Sequence, residues 1–305
     1  MVGHGDVEAA AARITGRIRR TPVLPVDEGL LLKLEYLQHT GSFKARGTFN
    51  RLLAAAETGE LTDTGVIAAS GGNAGMAFAY AAAALGVPAE VFVPETSPAV
   101  KVATLQALGA TVVRHGSQYV EAYHAALKRQ AETGAVFGHA YDQPEVVAGQ
   151  GTLALELPDC DTVLVAVGGG GLVAGIAAAL EGRAQVVGVE PDTCPTMHAA
   201  LRAGEPVDVA VGGVAADSLG ARRVGDIAFE VVRRCGVGSV LVTDDAIVAA
   251  RRELWRRYRI AVEHGAATAY AALASGAYRP QPGERVAVIL CGANTDPSDL
   301  VAPAP

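Results

Sequence analysis

The stretch Val163-Leu164-Val165-Ala166-Val167-Gly168-Gly169-Gly170-Gly171-Leu172-Val173-Ala174 decides how this chain of 305 residues folds. An unbroken apolar run fits a strand whose two faces are both buried, as in a parallel sheet. The glycines turn the chain, and the run from Leu172 to Leu180 reads as a helix. Unshielded backbone N–H groups and the positive end of the helix dipole then converge where a phosphate can sit. Gly169 to Ala174 also fits the dinucleotide fingerprint G-x-G-x-x-A, with Glu190 about 20 residues on, where a ribose-binding acid would stand. Dinucleotide binding, a monophosphate seat and a structural tight turn all remain open from this stretch alone.

The same alternation extends in both directions. Towards the C-terminus, strands at Val186 to Val189, Val240 to Val242 and Val286 to Leu290 alternate with helices at Ala246 to Tyr258 and Gly265 to Ala274. Towards the N-terminus, strands at Val66 to Ala69, Glu90 to Val93 and Thr111 to Arg114 alternate with helices at Ala74 to Leu85, Pro98 to Leu108 and Val120 to Thr133. Val7 to Arg19 reads as a packing helix that ends before Thr21-Pro22, whose proline favours an extended entry to the next segment. Short strands alternating with helices argue for parallel, doubly wound sheets, and the length exceeds the usual size of one core. The expectation is α/β, with two doubly wound, mostly parallel-sheet domains and a ligand in the cleft between them. The larger would comprise residues 1–41 and 142–305 and the smaller 42–141, with Tyr141-Asp142-Gln143-Pro144 at the boundary. Arg202 to Ala221, Gly/Ala-rich, reads as an irregular loop near the site, and Val301 to Pro305 as a low-complexity tail.

Three further stretches bear chemistry. Leu30 to Leu34 ends in the turn Thr40-Gly41-Ser42-Phe43-Lys44, which delivers a lysine to the start of a helical run from Thr48 to Ala56. The chain has only Lys33, Lys44, Lys101 and Lys128, and Lys44 alone sits in a turn at a strand-to-helix junction. Desolvation favours the neutral amine that attacks carbonyls. Ser70-Gly71-Gly72-Asn73-Ala74-Gly75 again lies between a strand and a helix N-terminus, a second anion seat of a size for a carboxylate. Cys291 ends the last apolar strand, where ligand-facing groups of open α/β sheets stand.

These four motifs in this order resemble the serine/threonine dehydratases, pyridoxal-phosphate enzymes of the fold-type II (tryptophan synthase β-like) group, over about Thr21 to Asp296. The resemblance implies that Lys44 holds pyridoxal 5'-phosphate as a Schiff base and then acts as the general base. It also implies cofactor contacts from Phe43, Asn73, Gly168, Gly169, Gly170, Gly171 and Cys291, and substrate contacts from Ser70, Gly71, Gly72, Asn73 and Ala74. The cofactor phosphate of the resembled enzymes protonates the departing hydroxyl. A neutral thiol at Cys291 would not hold a pyridine nitrogen protonated as an aspartate would, which favours β-elimination over transamination. In serine racemases the acid on the face opposite the lysine is a serine where this chain has Gly71, so racemisation is not expected. The implied activity is an ammonia-lyase (dehydratase) turning L-threonine or L-serine into 2-oxobutanoate or pyruvate and ammonia. Related dehydratases bind a cation at positions matching Glu190, Cys194, Thr196, Leu219 and Ala221. One carboxylate among neutral oxygens suits K+ or Na+. Glu263-His264 resembles the family's Glu-Pro segment near the cofactor, which makes Glu263 a secondary site candidate, and the departure at His264 leaves the local loop shape open. The resemblance further implies a homodimer. The chain closes soon after the Cys291 motif, so no C-terminal regulatory domain and no isoleucine feedback are expected.

Composition narrows the alternatives. A formal net charge of −7 with no basic run argues against a nucleic-acid surface. No apolar stretch reaches the roughly 18 residues of a membrane span, and no leader pattern is present, so a cytoplasmic protein is expected. Cys160, Cys194, Cys235 and Cys291 form no C-x-x-C pair, which suggests free thiols. Three rivals stay open: an NAD-dependent dehydrogenase built on the Gly168 to Gly171 turn, a β-replacing synthase of the same fold, and a non-catalytic amino-acid-binding module.

Overall fold

A computed structural model describes residues 1–300, so the expected Val301 to Pro305 tail lies outside the described residues. The N-terminal part runs α1 (His4–Arg13), β1 (Val23–Asp27), β2 (Leu30–Lys33) and α2 (Lys44–Glu57). Then come β3 (Val66–Ala69), α3 (Asn73–Leu85), β4 (Ala89–Val93), α4 (Ala99–Ala107), β5 (Thr111–Arg114), α5 (Tyr119–Thr133) and β6 (Val136–Gly138). The chain continues with α6 (Pro144–Gly151), β7 (Thr162–Ala166), α7 (Gly171–Leu180), β8 (Gln185–Pro191), α8 (Thr196–Ala203) and α9 (Ala216–Leu219). It closes with α10 (Asp226–Arg234), β9 (Gly238–Val242), α11 (Asp244–Tyr258), α12 (His264–Ala274) and β10 (Val286–Ile289).

The strands form two sheets. The larger has the order β1-β2-β10-β7-β8-β9 and the smaller β5-β4-β3-β6. Among the described strands, only the β1–β2 pair is antiparallel; the other strand pairings are parallel. Every residue of β7 and β10 is buried, because helices cover both faces of the sheet centre. Helix α6 packs closely against both α2 and α7. A Cβ on Gly149 would lie 2.7 Å from Gly47 Cα, and one on Gly175 would lie 2.3 Å from Val147 O. Hydrogen-only side chains at these crossings let the backbones approach, which fixes the starts of α2 and α7 relative to each other.

Two expectations are corrected. The first helix stops at Arg13 rather than Arg19, with Gly16 at φ +76° reversing the chain, although Ile14 and Ile18 still pack on the smaller sheet's core. Within Arg202 to Ala221, the end of α8 and the single turn of α9 replace a wholly irregular loop. The short strands β1 and β6 and the helix α6 are not legible from periodicity. Helices α8 and α10, also absent from the sequence expectation, do carry an amphipathic stripe, with Met197 and Ala200 and with Ala228, Phe229, Val231 and Val232 buried.

Candidate active site

In each sheet the chain departs in opposite directions from one strand. β7 lies between β8 and β10, and β3 lies between β4 and β6. Such points at the carboxyl ends of open α/β sheets are where ligands bind. Gly168 to Gly171 follow β7, Cys291 follows β10, Ser70 to Ala74 follow β3, and Ala140 and Tyr141 follow β6. All of these line one cavity of about 360 Å3, within the roughly 300–1,000 Å3 usual for small-molecule sites. Phe43, Lys44, Leu219 and Ala221 line it too, whereas Glu190, Cys194 and Thr196 stand outside its wall.

Lys44 is the first residue of α2, and its Nζ donates to Ala140 O at 2.6 Å. The other lysines each have a carboxylate: Lys33 with Glu156 at 2.5 Å, Lys101 with Asp217, and Lys128 with Glu132 at 3.9 Å. Among the described residues, Lys44 is the lysine without one. Burial pushes its amine down to about 8, against the opposing pull of Cys291 and Glu263, so a large neutral fraction exists near neutral pH. The start of α2 is held by a buried ion cluster two residues on. Arg46 donates through Nε and Nη2 to Glu35 at 2.6 and 3.0 Å, and Nη1 meets Glu156 at 2.8 Å. Removing one member would leave an uncompensated buried charge, which costs about 3–5 kcal/mol.

Across the cavity, Asn73 opens α3. Its Nδ2 donates to Glu263 Oε1 and Oε2 at 2.9 and 3.2 Å, while its Oδ1 accepts from Asn294 Nδ2 at 2.7 Å. Asn294 Nδ2 also donates to Thr40 O at 2.8 Å, joining the two turns nearest Lys44. Burial lifts the Glu263 carboxyl to about 7, opposed by the Asn73 hydrogen bonds. Cys291 is buried, and burial pushes its thiol up, so it stands as a neutral S–H. Phe43 N donates to Cys291 O at 3.0 Å, and an antiparallel bridge joins Ser42 to Gly292.

The turn after β7 is closely packed by the protein itself. A Cβ on Gly169 would lie 2.4 Å from the Tyr141 ring, and Gly170 has φ +88° as the residue before α7. Behind it, Glu190 is fully buried. Its Oε1 accepts from Met197 N at 2.7 Å and its Oε2 from His198 N at 2.8 Å, capping α8. Thr196 Oγ1 reaches Glu190 Oε1 at 3.2 Å and Gly168 O at 2.5 Å. A Cβ on Gly168 would lie 3.1 Å from Leu219 O, so Glu190, Thr196 and the Leu219 carbonyl gather around Gly168. With its carboxylate committed to helix amides, Glu190 does not present itself as a ribose acceptor. No group of three His, Cys, Asp or Glu with metal-holding geometry occurs among the described residues.

Several lining groups carry little sequence signal. The Ala140 acceptor is a backbone carbonyl, Tyr141 reads in the sequence only as a boundary marker, and Tyr119, Lys101 and Asp217 meet the site from separate elements. Glu263, a secondary site candidate in the sequence through the resemblance to the family's Glu-Pro segment near the cofactor, is the partner of Asn73.

The residues present fit a planar phosphorylated carbonyl compound. An amine of depressed pKa with no carboxylate partner, a glycine turn opening a helix, and a neutral thiol share one cavity, and its second glycine turn leaves open space before Gly72. Comparison with known proteins agrees. The pyridoxal-phosphate dependent enzyme family matches residues 14–292. The L-threonine ammonia-lyase of Thermotoga maritima is 38% identical over 97% of this chain and 76% of its own length. The phenylserine dehydratase of Ralstonia pickettii is 37% identical over 95% of this chain and 94% of its own. The structure of maize serine racemase superposes with a TM-score of 0.91 at 29% identity, covering 98% of this chain and 95% of that one. The chain belongs to the pyridoxal-phosphate dependent enzymes, on their fold-type II, serine/threonine dehydratase-like branch.

Proposed function

We propose that the chain is an ammonia-lyase that eliminates water from a 3-hydroxy amino acid, L-threonine or L-serine, and yields 2-oxobutanoate or pyruvate with ammonia. The observation that carries this reading is Lys44, the lysine without a carboxylate, in a cavity formed by two helix-opening glycine turns. The amides of Gly168 to Gly171 at the start of α7 would hold the cofactor phosphate, Phe43 and Asn73 would flank the ring, and Cys291 would face its nitrogen. The bound cofactor supplies electron withdrawal from the substrate Cα. The Ser70 to Ala74 amides hold the substrate carboxylate at the positive end of α3. Lys44 removes the Cα proton, its neutral amine being held within reach by the Ala140 carbonyl. Gly71 offers no hydroxyl for reprotonation from the opposite face, which favours elimination without racemisation.

Finer features go with this reading. Residues 1–41 with 142–305, and residues 42–141, act as two domains. Glu190, Thr196 and the carbonyls of Cys194, Leu219 and Ala221 take K+ or Na+ once Glu190 is ionised, and two copies associate as a cytoplasmic homodimer. No helix among the described residues is long and apolar enough to cross a membrane. The deciding experiment is borohydride reduction of the yellow, cofactor-loaded protein followed by peptide mapping. Label on Lys44 is expected; label on Lys33, Lys101 or Lys128 would sink the assignment. Activity compared in K+, Na+ and tetramethylammonium tests the cation, and sedimentation tests the dimer.

A further inference from the structure

The Lys44 amine is held by a carbonyl, so whatever fixes that carbonyl sets where the amine stands. Ala140 lies in the turn that carries the chain from β6 to α6, and Lys44 Nζ donates to its O at 2.6 Å. A side chain closes this turn. His139 Nδ1 accepts from Asp142 N at 2.8 Å and from Tyr141 N at 3.3 Å. Both partners are donors, so Nδ1 carries no hydrogen and the proton of the neutral imidazole is on Nε2. The rings of Tyr123 and Tyr141 stand nearly perpendicular to the imidazole, at centroid distances of 6.1 and 4.7 Å, and hold its orientation. His139 itself does not line the cavity, so it can act there only through its neighbours.

Those neighbours reach both halves of the site. Ala140 O faces Lys44, and the Tyr141 ring lies over Gly169. The Asp142 carboxylate accepts from Ile227 N at 3.1 Å and Asp226 N at 3.2 Å at the start of α10, and Gly225 N, just before, donates to Gly169 O at 3.0 Å. Only a neutral imidazole can close the turn, since protonation puts a hydrogen on Nδ1 and leaves two backbone amides without their acceptor. Burial holds the ring below the usual 6.5; Lys44 of α2 acts in the same direction and Asp142 opposes it. Tyr123 of α5 and Tyr141 have their phenols pushed up by burial and are uncharged. The turn is therefore closed at neutral pH.

We propose that His139 is a positioning residue for the reaction: by accepting the Tyr141 and Asp142 amides, its neutral imidazole aims the Ala140 carbonyl at Lys44 and seats Tyr141 on Gly169.

The test compares His139→Leu, which removes the acceptor, with His139→Asn, whose carboxamide oxygen accepts from the amide two residues on and does not titrate. The activity arm rests on the ammonia-lyase reading; the other two do not. In the cofactor-loaded chain, His139→Leu should lower kcat for threonine by about a hundredfold, the loss that a misplacement of about 1 Å brings, and change KM by less than about threefold. His139→Asn should restore kcat and escape the fall that protonation of the imidazole causes in the parent at acid pH. Nitrogen-15 NMR of the loaded parent should find the His139 proton on Nε2, with a titration midpoint below 6.5. In the cofactor-free full chain, labelling by acetic anhydride with peptide mapping should show Lys44 titrating near 8 in the parent and in His139→Asn. The midpoint should be lower in His139→Leu, because an ammonium that loses its acceptor is less stabilised. A proton on Nδ1, or a His139→Leu chain whose Lys44 titrates as in the parent, overturns the inference while leaving the ammonia-lyase reading intact. Absence of oxo-acid release by the parent overturns that reading, and the ring proton and the Lys44 titration still decide the role of His139.

Discussion

Gly169 and Gly72 line the same cavity from opposite sheets, yet their surroundings differ. A Cβ on Gly169 would lie 2.4 Å from the Tyr141 ring, whereas one on Gly72 would meet nothing within 4 Å. The turn on the larger sheet is thus packed by the protein itself, with Tyr141 on Gly169, Leu219 on Gly168 and Ala228 on Gly170. The turn on the smaller sheet keeps glycine beside unfilled space, the side from which a carboxylate can approach the backbone amides. The difference fits the two roles proposed for these turns: a rigid seat for a resident phosphate and an open one for a substrate that comes and goes.

The largest expected effect tests the rigid seat. Gly169→Ala must move the Tyr141 ring or the turn, and such overpacking costs about 1–3 kcal/mol. Urea denaturation should register that loss in the cofactor-free protein, and cofactor titration should show weaker binding. A variant as stable as the parent would break the comparison at its firmer end.

Next comes Glu263, which ties the open seat to the larger sheet through Asn73. Its carboxyl is raised from 4.5 in the unfolded chain to about 7 in the fold. Between those values the folded protein keeps a proton that the unfolded chain has lost, so this group's contribution makes stability fall as pH rises. Glu263→Gln should flatten that part of the slope of Tm between about pH 5 and pH 7 in the cofactor-free protein. An unchanged slope would mean that the carboxyl ionises freely and that burial does not raise it.

Much of this arrangement is legible in the sequence, because it rests on local pattern. The run Val163 to Val167, the glycine turns and the Lys44 junction each declare strand, turn and helix within a dozen residues, and the structure builds β7, α7 and α2 there. The contacts that finish the site are not local. Lys44 Nζ to Ala140 O spans 96 positions and Asn73 to Glu263 spans 190, so no periodicity reports them. The first helix reads too long in the sequence for the converse reason. Ile14 and Ile18 keep helical spacing and pack on the core, but Gly16 turns the chain between them. The three-residue β6 is too short to carry an alternation of its own.

A smaller effect tests the open seat. Gly72 has φ −113°, a conformation that alanine adopts without strain, so Gly72→Ala should stay within about 0.5 kcal/mol of the parent in stability. Its methyl group would intrude on the substrate carboxylate and raise KM for threonine by about tenfold, with cofactor affinity little changed. A stability loss matching that of Gly169→Ala would mean that both turns are packed alike, and the contrast would fail.

The smallest effect lies at the cavity mouth, where Lys101 near the start of α4 pairs with Asp217 of α9. This ion pair joins the smaller-sheet side to the larger across the opening that a substrate must pass. Its side chains are 33% and 68% exposed, so solvent screens the attraction and the coupling should be no more than about 1 kcal/mol. A double-mutant cycle with Lys101→Ala and Asp217→Ala measures it, and the coupling should shrink as salt rises. If the smaller-sheet turn opens and closes while the larger-sheet turn stays fixed, each single variant should shift KM for threonine by about the same few-fold factor and leave cofactor affinity alone. A change in cofactor affinity instead would mean that the pair props up the phosphate seat, and the division of labour between the two turns would have to be redrawn.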